Sequence, residues 1–235
     1  SGTITSVGNG WYRCTATGSS DLTGSNNTLI MLLDGAGSSS YTGDGYSGIY
    51  IWGAQLEAGA FSTSYIQTVA SQVTRSADAA SMTGTNFSSW FSQSEGSFYV
   101  ELNTGVNASS GDGLGNGRGG VNVNDGTAAN RLRIASSING YQVLNNSTTV
   151  ASITVGSVAA NTNYKMAAAY QVDNFQMSRD GVLGTADTSG VLPVGLNAMN
   201  IGTSNVTSGI LNGTIKKIAY YPMRVTNANL QALTS

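Results

Sequence analysis

The chain has 235 residues, of which 40% are hydrophobic and only 9% charged, with a formal net charge of −2. It is long enough to bury a real core, too apolar for intrinsic disorder, and lacks the basic excess that nucleic acid or an anionic membrane would attract. Histidine is absent and Cys14 is the only cysteine, which excludes histidine triads, histidine metal sites and an intrachain disulfide.

Glycine is abundant (31 residues) and proline rare (2 residues), so the surface must be mostly Ser, Thr, Asn and Gly. Such a surface repels little and is expected to be partly covered by neighbours or a multimer. The apolar runs are too short to cross a bilayer as a helix, so no membrane insertion is expected.

In chain order, Gly2–Val7 and Gly10–Thr17 read as strands joined by the tight-turn pair Asn9-Gly10. Cys14 lies in the second run and reads as a small buried hydrophobe. Thr28–Leu33 and Ile49–Leu56 read as two further strands, and Trp52, inside an apolar run, as core. Asp34-Gly35 and Asp44-Gly45 bracket a Gly/Ser loop between them. Four strands make about half of a two-sheet sandwich, so one apolar face of this module is left for upstream strands or a neighbour to cover. Ile49–Arg75 is the organising stretch: a last core strand, then a Gly- and Ser/Thr-rich strap leading to a second module.

After the strap a complete second series begins. Gly96–Leu102 alternates Phe98, Val100 and Leu102 against Tyr99 and Glu101, the pattern of a half-buried strand. Residues 103–120 read as loop. Arg131–Ile134 and Tyr141–Leu144 form a hairpin turned at Asn139-Gly140. Thr148–Val155, Asn163–Tyr170, Asn174–Arg179 (turned at Asp180-Gly181), Ala198–Gly202 and Gly213–Tyr221 complete about nine strands. Pro222 blocks further pairing, Thr226 is placed to cap a helix, and Leu230 and Leu233 seat one short helical turn. The fold class is all-β: an antiparallel jelly-roll or concanavalin A-like sandwich preceded by a partial β-sandwich module. The boundaries are 1–68, a linker at 69–80, and 81–235.

Gly10-Trp11-Tyr12-Arg13 with Tyr50-Ile51-Trp52-Gly53-Ala54-Gln55-Leu56-Glu57 resembles the C-terminal half of a carbohydrate-binding-module-like jelly roll of bacteriophage fibre proteins. Thr63-Ser64-Tyr65-Ile66 with Val73-Thr74-Arg75 is similar to the linker that ends it. Gly213–Pro222 followed by Leu230–Leu233 resembles the closing strand and terminal turn of concanavalin A-like (laminin-G-like) lectin domains. The resemblance implies a virion component, a tail or head fibre on the extracellular particle surface. It also implies a homotrimer, with other virion proteins and a host-surface glycan as partners.

The residues themselves argue for binding rather than catalysis. Only three glutamates occur, Glu57, Glu95 and Glu101, and none has the Glu-x-Asp-x-x-Glu spacing of glycosidases with this fold. No catalytic residue and no cofactor is therefore expected. Asp44 and Asp112 sit in glycine loops as lone oxygen ligands; Asp-Gly is first a turn, and calcium is the one metal such loops suit. Glycan candidates are Trp11 and Trp90, each bordering a turn, and Arg131 and Arg133, two apart on one strand face. With Tyr99 and Glu101 the arginines are expected to line one surface, or else to be solvated residues of an outer sheet. Two alternatives stay open: a polysaccharide-degrading enzyme, and a decoration protein that binds only other virion proteins.

Overall fold

The computed structural model describes residues 2–18, 29–57, 62–75, 78–105, 118–135, 140–206 and 208–235. The chain divides into two compact units, Ser1–Arg75 and Ser76–Ser235.

The described residues of the first unit form one antiparallel hairpin, β1 (Gly2–Gly8) with β2 (Trp11–Ala16). Asn9 and Gly10 turn it with φ of 51° and 77°, the left-handed pair these residues tolerate. The other two expected strands are not found. Thr28 lies outside the described residues, and residues 29–33 and 49–56 form no strand. Their apolar side chains are exposed, Trp52 at 74%. An apolar run specifies burial, but a strand also needs a partner edge, and a two-stranded ribbon covers neither of its own faces. For the same reason Cys14 is exposed and not buried. Side-chain contacts link described residues of the Ile49–Arg75 stretch instead. The Glu57 carboxylate accepts from the Thr63 amide at 2.6 Å, and Gln55 Oε1 accepts from the Ile66 amide at 2.8 Å. Arg75 Nη1 donates to Ser64 Oγ at 3.2 Å, and the Trp52 and Tyr65 rings lie 4.8 Å apart.

The second unit is an all-β antiparallel sandwich. Its strands are β3 (Ala80–Thr83), β4 (Glu95–Thr104), β5 (Gly119–Asn124), β6 (Arg131–Ala135), β7 (Gly140–Asn145) and β8 (Thr148–Thr154). They continue with β9 (Thr162–Gln171), β10 (Gln176–Arg179), β11 (Val182–Leu183), β12 (Ala198–Ile201) and β13 (Gly213–Tyr221). One sheet has five strands in the order β11-β10-β9-β4-β13; the other has six, in the order β3-β12-β5-β6-β7-β8. Two helices, α1 (Thr85–Ser88) and α2 (Asn227–Thr234), accompany them. Eight of these strands match expected ones to within a few residues; β3, β5 and the short β11 were not expected. β5 starts inside the stretch expected to be loop, at Gly119 and Gly120. The expected turn residue Asn139 lies outside the described residues, and Gly140 is already paired with Ala135.

The core follows from strand alternation. Phe98, Val100 and Leu102 of β4, Val121 and Val123 of β5, and Leu132 and Ile134 of β6 all point between the sheets. Each such buried side chain stabilises the fold by about 1.5–3 kcal/mol. A second, smaller cluster lies on the outer face of the five-stranded sheet. There Ala167 and Ala169 of β9 leave room for α2, whose Leu230 is fully buried beside Tyr99. Thr226 caps α2, its Oγ1 accepting from the Asn229 amide at 3.2 Å. Both outer faces of the sandwich are thereby defined: a helix covers part of one, and polar side chains project from the other.

Candidate functional site

The polar face belongs to the six-stranded sheet. On β5, Val121 and Val123 point inward, so Asn122 and Asn124 point outward; on β6, Leu132 and Ile134 point inward, so Arg131 and Arg133 point outward. Strand register then lines these residues up across the sheet. One row runs Ser81, Asn200, Asn122, Arg133, Gln142, Ser152. The next runs Thr83, Ala198, Asn124, Arg131, Leu144, Thr149. The described strand residues projecting from this face carry no aromatic ring.

Side chains are cross-linked within and between the rows. Arg133 Nε and Nη2 donate to Gln142 Oε1 at 3.0 and 2.6 Å. Asn124 Nδ2 donates to Asn200 Oδ1 at 2.6 Å. A strap that follows β12 lies over the middle of the face. Arg133 Nη1 donates to the Ser204 carbonyl at 3.1 Å, and Arg131 Nη1 to Asn205 Oδ1 at 2.8 Å. The strap is fastened to the start of β5: the Gly119 amide donates to Gly209 O at 3.1 Å, and the Gly202 amide to Gly120 O at 3.0 Å. Its approach is so close that a Cβ on Gly119 would fall 1.9 Å from the Thr203 carbonyl oxygen.

The centre of the face is therefore buried, with Arg131 at 5% and Arg133 at 6% exposure. Burial pushes the Arg133 guanidinium down to about 10, with a contribution from the Arg131 charge beside it, and burial lowers Arg131 as well. Both stay cationic at neutral pH. Among the described residues the ion pairs are Arg179 with Asp180 and Lys216 with Glu101, so neither buried arginine has a carboxylate partner there. Several buried polar atoms of the same region have no hydrogen-bond partner among the described residues: both side-chain polar atoms of Asn122, Arg131 Nε, Thr203 Oγ1 and Ser204 Oγ. Buried polar groups are normally paired, so a cluster of unpaired ones needs a reason.

Of the expected glycan residues, only Arg131 and Arg133 come together. Tyr99 and Glu101 share a face with each other, but it is the outer face of the opposite sheet. Tyr99 is buried in the cluster beside α2, and burial raises its phenol; Glu101 pairs with Lys216 at 3.5 Å. The two sets sit on different sheets because β4 and β6 are not neighbours, which spacing along the chain does not reveal. The arginines are also not solvated, because the strap covers them. Trp90 is half-buried at one edge of the sandwich. Its Nε1 donates to Asn86 O at 2.7 Å, and its ring meets those of Phe87 and Tyr220. There it lines a mainly apolar hollow of about 240 Å³ with Met82, Met199, Ile201 and Ile218. Trp11 is exposed on the hairpin of the first unit. The sequence reading missed Asn122, Asn124 and Gln142; the Val-Asn-Val-Asn alternation of β5 was the available signal.

Metal ligation has little to draw on. Asp112 lies outside the described residues. Asp44 is occupied by its own turn, accepting from the Tyr46 and Ser47 amides at 2.8 and 2.7 Å. Among the described residues no three acidic or cysteine side chains group as metal ligands.

No protein-family model matches the chain, and no curated protein matches it. Similar solved structures include the CBM40 module of Ruminococcus gnavus IT-sialidase. That match has 12% identity and a TM-score of 0.48, over 67% of this chain and 94% of that one. The same module bound to α2,3-sialyllactose matches at 13% and 0.47, over 68% and 94%. Domain 4 of the Geobacillus stearothermophilus arabinanase AbnA, with arabinotriose, matches at 12% and 0.45, over 62% and 68%. The sandwich architecture is read from the strand pairing itself; these distant likenesses transfer no residue and no ligand.

Proposed function

We propose that the second unit is a non-catalytic glycan-binding module and that the outer face of its six-stranded sheet is the binding surface. One observation carries this: amide and guanidinium side chains stand in register across the sheet, and several of their polar atoms have no partner. Sugar hydroxyls both donate and accept, and paired amides and forked guanidinium groups match them. The two glutamates of this unit are otherwise engaged, Glu95 by the Arg224 amide at 3.0 Å and Glu101 by Lys216, which supports binding without turnover. The setting we propose is the surface of a virus particle, as a trimeric tail or head appendage; its support is the resemblance of residues 10–13 and 50–57 to a module of bacteriophage fibre proteins.

A second reading is favoured by the first unit. Ile4, Val7, Ile51, Trp52 and Leu56 are exposed, as they would be on a surface meant for another protein. In that reading the chain decorates a particle and binds only its protein neighbours. A glycan array separates the two. Retention of defined oligosaccharides by the chain, lost in Arg133→Gln, supports the glycan reading. A blank array with firm binding to particle proteins selects decoration, and release of new reducing ends from a bound polysaccharide would reveal an enzyme.

A further inference from the structure

The glycan reading leaves unexplained why two arginines are buried side by side with no carboxylate among the described residues paired to either. Removing a cation from water costs on the order of several kcal/mol unless an anion or good acceptors compensate. Here the compensation at the strap is one backbone carbonyl, Ser204 O, and one amide oxygen, Asn205 Oδ1. Both are neutral acceptors. A carboxylate or sulfate in the same place would set an anion against each guanidinium and offer two oxygens to its fork of donors. Donors remain for it as well: Arg131 Nε and Asn122 Nδ2 are buried without partners among the described residues.

Resting on the glycan reading, we propose that Arg131, Arg133 and Asn122 form a subsite for the acidic group of a bound sugar, and that Ser204 and Asn205 occupy it as a built-in stand-in until the ligand displaces them. The geometry suits such an exchange. Gly202 and Gly209 flank the strap with φ of 74° and 71°, a conformation glycine adopts without strain. The strap oxygens sit where an anion's oxygens would sit, so the guanidinium groups are held ready and are not left free to pair elsewhere. Ligand specificity then comes from the charge: a neutral sugar gains less than it loses by opening the strap, whereas an acidic one replaces two neutral acceptors with charged ones.

The test uses the full chain and three matched probes: lactose, 3′-sialyllactose and lactose 3′-sulfate, titrated by calorimetry at two salt concentrations. The expected result is at least about tenfold tighter binding of one or both acidic probes than of lactose, weakened by salt. Preference between carboxylate and sulfate identifies the anion. Arg133→Gln should abolish the preference. Asn205→Ala removes a competing acceptor and should tighten acidic probes by about threefold, whereas a merely structural role for Asn205 predicts weaker binding. Sulfate ion should shift the Nε–H resonances of Arg131 and Arg133 in the wild-type chain, a readout that needs no variant to fold. Equal binding of lactose and both acidic probes overturns the subsite and leaves the glycan reading standing. No binding by any probe, with no sulfate-induced shift, overturns it as well, and the array result then stands alone.

Discussion

At the scale of single residues, hydrogen bonding decides what each acidic side chain does. Asp44 is fully exposed, yet its carboxyl is lowered from 3.8 to about 2, first by its bond from the Ser47 hydroxyl and then by backbone amides. A depressed carboxylate contributes stability that is complete above its unfolded value and is lost as pH falls through the folded one. The Asp44 turn should therefore be intact at pH 5 and come undone between about pH 4 and 2. Carboxyl carbon shifts in an NMR titration check this, and Ser47→Ala should move the midpoint back towards the ordinary range. Glu57 is lowered in the same sense by its bonds from Thr63, so the contact between Glu57 and Thr63 is likewise a feature of neutral pH. Arg131 and Arg133 show how far residue identity alone informs. Their i, i+2 spacing correctly puts both on one face, but nothing local to them reveals that a strap seventy-odd residues downstream covers that face.

At the scale of elements, legibility follows how local the determining physics is. The end of the chain was readable because each signal acts within a few residues: Pro222 ends β13, Thr226 caps α2, and Leu230 faces the sheet. Replacing Thr226 by Ala should cost about 1 kcal/mol, the usual price of a lost cap. Leu230→Ala should cost about 2–5 kcal/mol, because the side chain is fully buried between helix and sheet. Chemical denaturation of both variants measures the difference, and equal small losses would mean that α2 is not docked. β5 was missed because Gly-Gly-Val-Asn-Val-Asn is poor in strand-forming residues on one face; its pairing with β6 and β12 supplies what its propensity lacks. Residues 49–56 went the other way. Their apolar run reads as a core strand, but no strand among the described residues pairs with them, and Gln55 and Glu57 bind the following backbone instead.

At the scale of the whole molecule, the two units are unequal in what they bury. The second closes a full two-sheet core, while the described residues of the first form a single hairpin, which is marginal in water by itself, and a series of exposed apolar side chains. Self-association through residues 1–75 is the expected consequence. Sedimentation equilibrium should give about three times the 24.1 kDa chain mass, and a clean monomer at high concentration would contradict the proposed trimer. The proposed glycan face belongs to the second unit, so assembly and glycan binding are assigned by these proposals to different parts of the chain.

The most direct measurement is NMR mapping of a retained oligosaccharide on the side-chain amides of the full chain. Shifts concentrated on Asn122, Asn124, Gln142 and Asn200, with the Trp90 indole unmoved, are the predicted result. Shifts at the Trp90 hollow with the sheet-face amides silent would contradict it.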